Sequence, residues 1–264
     1  MEKGCVDMRF FAIPVVLTAI LIALSVAPPA WAGAEWIDFK TAEGEKVSAL
    51  FAKPDGEGPF AAMVFNHGMA VRTRGYAKTA ARGYDVNAFV EKLAAAGYVA
   101  IAPIRKALKN APLKKAIAGG VAISNGAIDY LKGRPDVNAE RIGVMGFSEG
   151  GLITVWTALR RDDLAAVVLM SPAVMRGAGN WNLNRATRKD YLNHITAPVM
   201  LTMGKNDIKG IKKTVFTRLI PNMEALGKDF SYRTDYPGNH AWFAKPRKEY
   251  FNDILDFLND KLNP

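Results

Sequence analysis

The sequence is poor in the residue types that build metal sites and disulfides. It contains one cysteine, Cys5, and three histidines among 264 residues. Cys5 lies in the N-terminal stretch, so the rest of the chain has no cysteine for a disulfide or a Cys-rich metal site. No His-Glu-x-x-His segment is present either. We therefore expect no metal site in this protein.

Long apolar runs are confined to the N-terminus. The run at residues 10–26 follows a weakly basic start and precedes an Ala-x-Ala pattern at 30–32. This layout is typical of a secretory signal peptide, and a retained membrane anchor is the alternative because the run is nearly long enough to span a bilayer. We expect cleavage, with residues 1–32 as the signal peptide. Residues 33–264 would then form an exported protein, periplasmic or secreted, with no stable membrane anchor.

Acidic residues are too few to balance the basic ones, and the net charge is +10. Most of the excess lies between Val71 and Lys115, a stretch that contains ten basic residues and only two acidic ones. One hypothesis is an electropositive mouth of the site that favours anionic substrates or an anionic envelope surface. The other interpretation is a solvated face without a binding role. No recognition motif accompanies the charge, so no nucleic-acid partner is expected.

Apolar strands alternate with helices along most of the chain. The predicted strands are 35–40, 46–52, 59–66, 99–103, 141–147, 165–170, 198–204 and 230–236, and the predicted helices are 86–98, 112–131, 150–160, 211–226 and 247–262. This alternation predicts an α/β fold with a mainly parallel central sheet and helices on both faces. The first two strands predict an antiparallel hairpin. Without a Pro- or Ser-rich linker, we expect one domain over 33–264.

The segment VMGFSEGG places a serine among glycines directly after a predicted strand and before a predicted helix. Gly146, Ser148 and Gly150 form the Gly-x-Ser-x-Gly pattern of a nucleophile on a strained strand-to-helix turn. Glycine is needed two residues before and after the serine because side chains there would collide with the backbone. The turn also puts the hydroxyl at a helix N-terminus, which favours developing negative charge.

A serine hydroxyl needs a base, and chain order selects among the three histidines. On this fold the order of the triad is serine, acid, histidine. His67 precedes Ser148, and we expect it to be structural. His194 follows Ser148 but lies before the strand that should carry the acid. His240, in a loop before the last helix, is the predicted base.

The acid should follow the penultimate strand of the sheet. Asp207 ends the segment GKND in that position. Its role would be to hold the tautomer of His240 and stabilise the imidazolium. Asp235 is the rival acid, although it falls within the final predicted strand.

Four segments in this order, FNHG, GFSEGG, GKND and PGNHAW, resemble the α/β-hydrolase superfamily. Within it, the chain is similar to the dienelactone-hydrolase-like and prolyl-oligopeptidase-like serine hydrolases over most of residues 36–262. The dienelactone hydrolases after which the group is named use a cysteine nucleophile, where this chain has Ser148. None of these segments predicts a propeller domain of the oligopeptidase kind.

The resemblance implies a serine hydrolase with an oxyanion hole made of two backbone N–H groups. They would belong to Glu149, after the nucleophile, and to Met69, in the loop after the third strand. Gly68 would let that loop approach closely. No chemistry is assigned to the Glu149 side chain, which the helix dipole would favour in the first turn.

The implied activity is hydrolysis of a small-molecule carboxylic ester through an acyl-enzyme, without a cofactor. A small peptidase or amidase and a lactonase are the enzymatic alternatives, and a binding protein on a hydrolase fold is the non-enzymatic one. The short polar segment 171–196 excludes a large cap domain. Its Trp181 and Tyr191 would line an acyl pocket or simply pack. The sequence does not indicate an oligomeric state.

Overall fold

The computed structural model describes Met1 and residues 33–106, 112–175 and 185–262. Apart from Met1, the predicted signal peptide lies outside the described residues, and so does Trp181. Within the described part, none of the helices has the length and apolar character that crossing a bilayer requires.

The described strands form one eight-stranded sheet in the order β1-β2-β4-β3-β5-β6-β7-β8. They are β1 (Glu35–Lys40), β2 (Lys46–Ala52), β3 (Phe60–Asn66), β4 (Val99–Pro103), β5 (Val137–Phe147), β6 (Ala166–Met170), β7 (Val199–Asn206) and β8 (Phe230–Asn239). β2 pairs antiparallel with β1 and β4, and all other neighbours pair parallel. The predicted α/β-hydrolase fold, with its N-terminal antiparallel hairpin, is confirmed.

Helices cover both faces of the sheet. They are α1 (Met69–Arg74), α2 (Tyr76–Ala80), α3 (Val86–Ala95), α4 (Leu113–Lys132), α5 (Glu149–Ala158), α6 (Lys189–Leu192), α7 (Lys209–Thr214), α8 (Ile220–Ala225) and α9 (Lys248–Leu262). A π-helical turn, Val215–Leu219, joins α7 to α8. Short 3₁₀ turns occupy Arg185–Thr187 and His240–Ala244.

Strand alternation divides the core between the two faces. On β3, Ala62 and Val64 pack into the cluster under α4 and α5, whereas Met63 and Phe65 pack into the cluster under α3 and α9. Successive side chains of a strand point to opposite faces, so a run buried throughout serves both layers. The apolar stretch of β3 therefore fixes it in the middle of the sheet.

The sequences of α3 and α9, which cover the same face of the sheet, show why these two segments are helical. On α9, the buried side chains Tyr250, Ile254 and Leu258 recur every four residues, which produces one apolar stripe. Asp85 caps α3 by accepting a hydrogen bond from the N–H of Asn87 at 2.9 Å. Gly97, with φ of 95°, turns the chain from α3 into β4.

Some elements differ from the sequence-based expectation. Helices α1 and α2 occupy residues that carried no helix prediction, because each is too short to show an apolar period. The predicted helix 211–226 begins earlier, at Lys209, and contains the π-helical turn. β5 extends four residues further back, to Val137, because its early polar residues mask the strand pattern.

Candidate active site

Ser148 lies on a strained turn between the end of β5 and the start of α5. Its φ and ψ are 58° and −118°, a conformation that costs a non-glycine residue about 1–3 kcal/mol. A β-carbon on Gly146 would lie 2.3 Å from the carbonyl oxygen of Gly150. One on Gly150 would lie 1.8 Å from the carbonyl oxygen of Asn66. The turn therefore needs both glycines.

Three side chains that are far apart in the chain form a continuous hydrogen-bonded series. His240 Nε2 lies 2.8 Å from Ser148 Oγ, and His240 Nδ1 lies 2.8 Å from Asp207 Oδ1. A carboxylate oxygen only accepts, so Nδ1 donates to Asp207 and Nε2 is left to accept the hydroxyl proton of Ser148. The side chain of Asp207 is fully buried, whereas that of His240 is 19% exposed.

Asp207 is held by two further donors. Its Oδ2 accepts a 2.5 Å hydrogen bond from Ser171 Oγ, and its Oδ1 also accepts from the N–H of Ile208 at 2.6 Å. Ser171 follows β6, is fully buried and has a positive φ of 43°. These contacts leave the carboxylate one orientation, aimed at His240. Sequence reasoning missed Ser171, although its position directly after a buried strand was a usable signal.

The end of β8, which leads into His240, packs closely on the end of β7, which leads into Asp207. A β-carbon on Gly204 would lie 2.2 Å from the carbonyl oxygen of Gly238, so only glycine permits the approach. Asn239 accepts a hydrogen bond from the N–H of Trp242 at 3.2 Å and so shapes the turn. The ring of Phe147 lies against the imidazole, with centroids 5.0 Å apart.

The two residues predicted to supply oxyanion amides both begin a helix. Met69 is the first residue of α1 and Glu149 is the first residue of α5. The N–H groups of a first helical turn have no acceptor within their helix, so both amides are available to a ligand. A β-carbon on Gly68 would lie 3.4 Å from Cβ of Ser148, which puts the start of α1 beside the serine.

The Glu149 side chain is buried and bound by two arginines. Arg72 donates from Nε to Oε1 at 2.9 Å and from Nη2 to Oε2 at 2.8 Å. Arg105 donates from Nη1 to Oε1 at 3.0 Å. Burial alone would raise the pKa of Glu149, but the hydrogen bonds from Arg72 and the charge of Arg105 outweigh it and lower that pKa below its ordinary value. Sequence reasoning assigned this side chain no role.

His67 is fully buried, in keeping with the expected structural role. Its Nε2 accepts the N–H of Arg105 at 3.0 Å, which leaves Nδ1 to donate to the carbonyl oxygen of Gly68 at 2.9 Å. Burial and the neighbouring charge of Arg105 lower the pKa of His67 well below its ordinary value. The imidazole is therefore neutral and acts as a backbone brace.

The remaining candidates lie away from Ser148. Asp235, the rival acid, is exposed on β8 and pairs with Arg233 at 3.1 Å. Tyr191 packs edge-on against Trp156 and, with His194, lines a separate cavity. Within the described ranges, no hydrogen bond or ion pair joins Asp235, Tyr191 or His194 to Ser148 or His240.

A cavity of about 580 Å³ opens on Ser148 and His240. Its walls are mainly apolar; they include Met69, Ala70, Leu113, Ile117, Leu152, Ala173, Met175, Ile208 and Ile211. Four basic residues also line it, namely Arg74, Arg82, Lys245 and Arg247. Among the described residues, no acidic side chain lies within ion-pair distance of any of the four. Glu149 also lines the cavity, but its carboxylate is paired with Arg72 and Arg105, so the four basic residues give the apolar cavity an excess of positive charge.

The basic stretch from Val71 to Lys115 is divided by the fold. Arg72 and Arg105 point inward and are neutralised in part by Glu149. Arg74 and Arg82 line the cavity with their charges unpaired among the described residues. No group of three or more metal-ligating side chains occurs in the part of the chain that the structure describes.

Solved structures with the same fold belong to several kinds of protein. An acylaminoacyl peptidase from Pyrococcus horikoshii superposes with a TM-score of 0.68 at 19% identity over 87% of this chain and 41% of its own. A Klebsiella pneumoniae protein named as a dienelactone hydrolase superposes with a TM-score of 0.66 at 19% identity, over 88% of this chain and 99% of its own. The esterase Pf2001 from Pyrococcus furiosus superposes with a TM-score of 0.64 at 15% identity, over 87% of this chain and 93% of its own.

Sequence comparison is more specific than the fold. YtaP of Bacillus subtilis (strain 168), a hydrolase by name, is 31% identical in a 142-residue alignment that covers 47% of this chain and 48% of YtaP. The chain thus matches about half the length of that relative. Residues 78–254, more than half of the chain, match the dienelactone hydrolase family, and they include Ser148, Asp207 and His240. The chain belongs to the dienelactone hydrolase family.

Proposed function

We propose that this protein is a serine hydrolase that cleaves small carboxylic esters through Ser148, His240 and Asp207. The observation that carries the proposal is the hydrogen-bonded series from Ser148 Oγ through His240 to Asp207, with both distances at 2.8 Å. Nucleophile, base and orienting acid within such reach are the signature of activated serine hydrolysis. Membership of the dienelactone hydrolase family supports hydrolysis as the reaction class.

In the acylation step, Ser148 Oγ forms a bond to the ester carbonyl carbon while its proton passes to His240 Nε2. The carbonyl oxygen becomes an oxyanion, and Asp207 stabilises the imidazolium without taking its proton. Collapse of the intermediate breaks the bond to the alcohol oxygen, which leaves with the proton from His240. A water molecule then attacks the acyl-enzyme by the same steps and releases the acid and Ser148.

The backbone N–H groups of Met69 and Glu149 are the proposed donors to the oxyanion. Both begin helices, so their amides and the helix dipoles favour negative charge at that place. Removing one such donor typically costs a factor of about 10² to 10³ in kcat, so the pair accounts for a large share of the acceleration.

The cavity supports a substrate with an apolar acyl or alcohol group and a negative charge near its rim. Its walls are mainly apolar, and its basic residues, Lys245 among them, have no acidic partner among the described residues. Lys245→Gln should lower kcat/KM for an ester of a dicarboxylic acid and leave that for a neutral ester of equal length unchanged. Lys40→Gln, which removes an exposed lysine from β1, is the matched control. Equal effects on both esters would contradict an anionic preference.

Hydrolysis of p-nitrophenyl butyrate by wild type and by Ser148→Ala tests the proposed reaction. Loss of at least about 10³-fold in kcat is expected, since only binding and oxyanion stabilisation remain. A parallel assay with an aminoacyl p-nitroanilide distinguishes an esterase from an amidase, since only an amidase hydrolyses the anilide efficiently. A Ser148→Ala variant with near wild-type rate would overturn the proposal.

The N-terminal pattern supports the further proposal that the enzyme is exported. If so, protein recovered from the envelope or medium of an expressing bacterium should begin at Gly33. An intact N-terminus on protein retained in the membrane would favour the anchor instead.

A further inference from the structure

The structure contains a buried cluster of charged groups that the proposed reaction does not use. Arg72 and Arg105 both bind the carboxylate of Glu149, the residue after Ser148, and Arg105 also binds the neutral imidazole of His67. The side chains of Arg105 and Glu149 are 3% and 6% exposed. Buried ion pairs are costly to desolvate, and surplus stability is a weak reason for keeping one. A cluster of this kind next to a reactive serine therefore invites a functional explanation.

The cluster joins the two backbone segments that carry the proposed oxyanion donors. Glu149 supplies one donor amide from its own backbone, and its carboxylate receives both hydrogen bonds of the Arg72 fork. Arg72 lies one turn after Met69 on α1, whose first residue supplies the other amide. Two parallel hydrogen bonds fix direction as well as distance. A shift of α1 relative to α5 must break them.

Arg105 holds the backbone of the two residues that precede Met69. Its guanidinium donates to Glu149 and to the carbonyl oxygen of His67, while the backbone N–H of Arg105 donates to His67 Nε2. His67 in turn donates to the carbonyl oxygen of Gly68, and the N–H of Gly68 donates to Tyr84 at 2.7 Å. The two residues before Met69 are thereby held at three backbone atoms.

We propose that Arg72, Glu149 and Arg105 form an oxyanion clamp, a buried ionic bridge that sets the spacing of the Met69 and Glu149 amides. The three are positioning residues, because none of their side chains touches the reacting atoms. The inference rests on the proposed function and adds to it the reason for a glutamate after the nucleophile. The stabilisation of an oxyanion depends on donor placement, and an error of 1 Å can cost a factor of about 10².

The clamp predicts a defect confined to the transition state. Glu149→Gln keeps the shape of the side chain but removes its charge, and Arg72→Lys keeps the charge but removes the fork. For both, kcat for p-nitrophenyl butyrate should fall between about 10-fold and 100-fold, with KM changed less than about twofold. Affinity for an alkyl boronic acid, which forms a tetrahedral adduct on the serine, should fall by the same factor as kcat.

Asp136→Asn is the matched control, because Asp136 also receives a two-pronged hydrogen bond from an arginine, Arg134, at 2.8 and 2.7 Å. That pair lies at the opposite end of β5, and its loss should leave kcat and boronic-acid affinity unchanged. All assays are run well below the unfolding midpoint measured for each variant. A merely structural role for the cluster would lower that midpoint without a selective loss of boronic-acid affinity.

The clamp is overturned if Arg72→Lys keeps the wild-type kcat and the wild-type affinity for the boronic acid. It is also overturned if the only change is a higher KM. Glu149→Gln leaves two arginines facing an uncharged acceptor, so Arg72→Lys decides the question if the glutamine variant does not fold. Failure of the clamp is distinct from failure of the proposed function. In the first case the activity still depends on Ser148, and in the second it survives Ser148→Ala.

Discussion

At the scale of single residues, the proposed function depends on how tightly one carboxylate is oriented. Asp207 accepts hydrogen bonds from His240, Ser171 and Ile208, so both of its oxygens are occupied. The imidazole therefore has one tautomer compatible with the site, with the proton on Nδ1. In our proposal that tautomer is what leaves Nε2 free to accept the proton of Ser148.

Replacing Asp207 by asparagine should impair catalysis more than folding. The amide nitrogen would favour the wrong imidazole tautomer, so we expect kcat to fall between about 10²- and 10⁴-fold with little change in KM. Asp235→Asn, which alters the exposed rival acid on β8, should keep near wild-type activity. Steady-state kinetics with one ester decides between them, and the reverse ranking would show that the wrong acid has been assigned.

Much of the site could be predicted at this scale from chain order and the glycines around Ser148. The partners of Glu149 could not, because Arg72 and Arg105 lie 77 and 44 residues away from it in the sequence. A glutamate in a first helical turn is already favoured by the helix dipole, so its presence needs no further partner to explain it. Nothing local reveals that an arginine from α1 and another from the segment after β4 both bind it.

At the scale of elements, the turn between β5 and α5 depends on close contact with the end of β3. The carbonyl oxygen of Asn66 occupies the space that a side chain at position 150 would need. The Asn66 side chain is itself fixed by hydrogen bonds of 3.1 Å to Ser124 and Thr154. Because those groups are buried, the strand end cannot move aside.

Gly150→Ala should therefore destabilise the protein and displace Ser148. Overpacking of this kind costs about 1–3 kcal/mol in the free energy of unfolding, and activity should fall more steeply than stability. Gly119→Ala in α4 is the control, because its new methyl group meets open space and helix propensity favours alanine by up to about 1 kcal/mol. Urea denaturation measures both variants; equal stability of the two would contradict the packing argument.

The sequence predicted those elements whose apolar pattern is continuous, and it missed those too short to show a pattern. The strands buried on both faces, such as β3 and β6, are apolar throughout and were predicted almost residue by residue. α1 and α2 have six and five residues, too few for an apolar stripe. They are held by tertiary contacts, among them the bond between Gly68 and Tyr84, that the sequence does not display.

At the scale of the whole molecule, titratable groups with lowered pKa values, buried or half-buried, should make stability depend on pH. The pKa of His67 is lowered well below 6.5 by burial and by the charge of Arg105. The hydrogen bond from Arg161 lowers the pKa of Asp163, and the two arginines lower that of Glu149. In each case the unfolded chain binds a proton at a higher pH than the folded protein does.

The free energy of unfolding should therefore decrease as the pH falls. His67 contributes first, below about pH 6.5, with a slope of up to about 1.4 kcal/mol per pH unit for one proton. The carboxylates add to the loss below about pH 4.5, until the pH reaches their lowered folded-state pKa values. Urea denaturation between pH 4 and pH 8 measures this dependence. A flat profile between pH 6.5 and pH 5 would contradict the neutral, buried state of His67.

The central claim is that His240 activates Ser148 as a nucleophile, and covalent labelling with a fluorophosphonate tests it most directly. Such a probe reacts with an activated serine, and peptide mass spectrometry locates the adduct. We predict one adduct, on Ser148, that is absent from Ser148→Ala and forms far more slowly in His240→Gln. A wild-type protein that stays unlabelled at Ser148, or that labels equally fast without His240, would contradict the account.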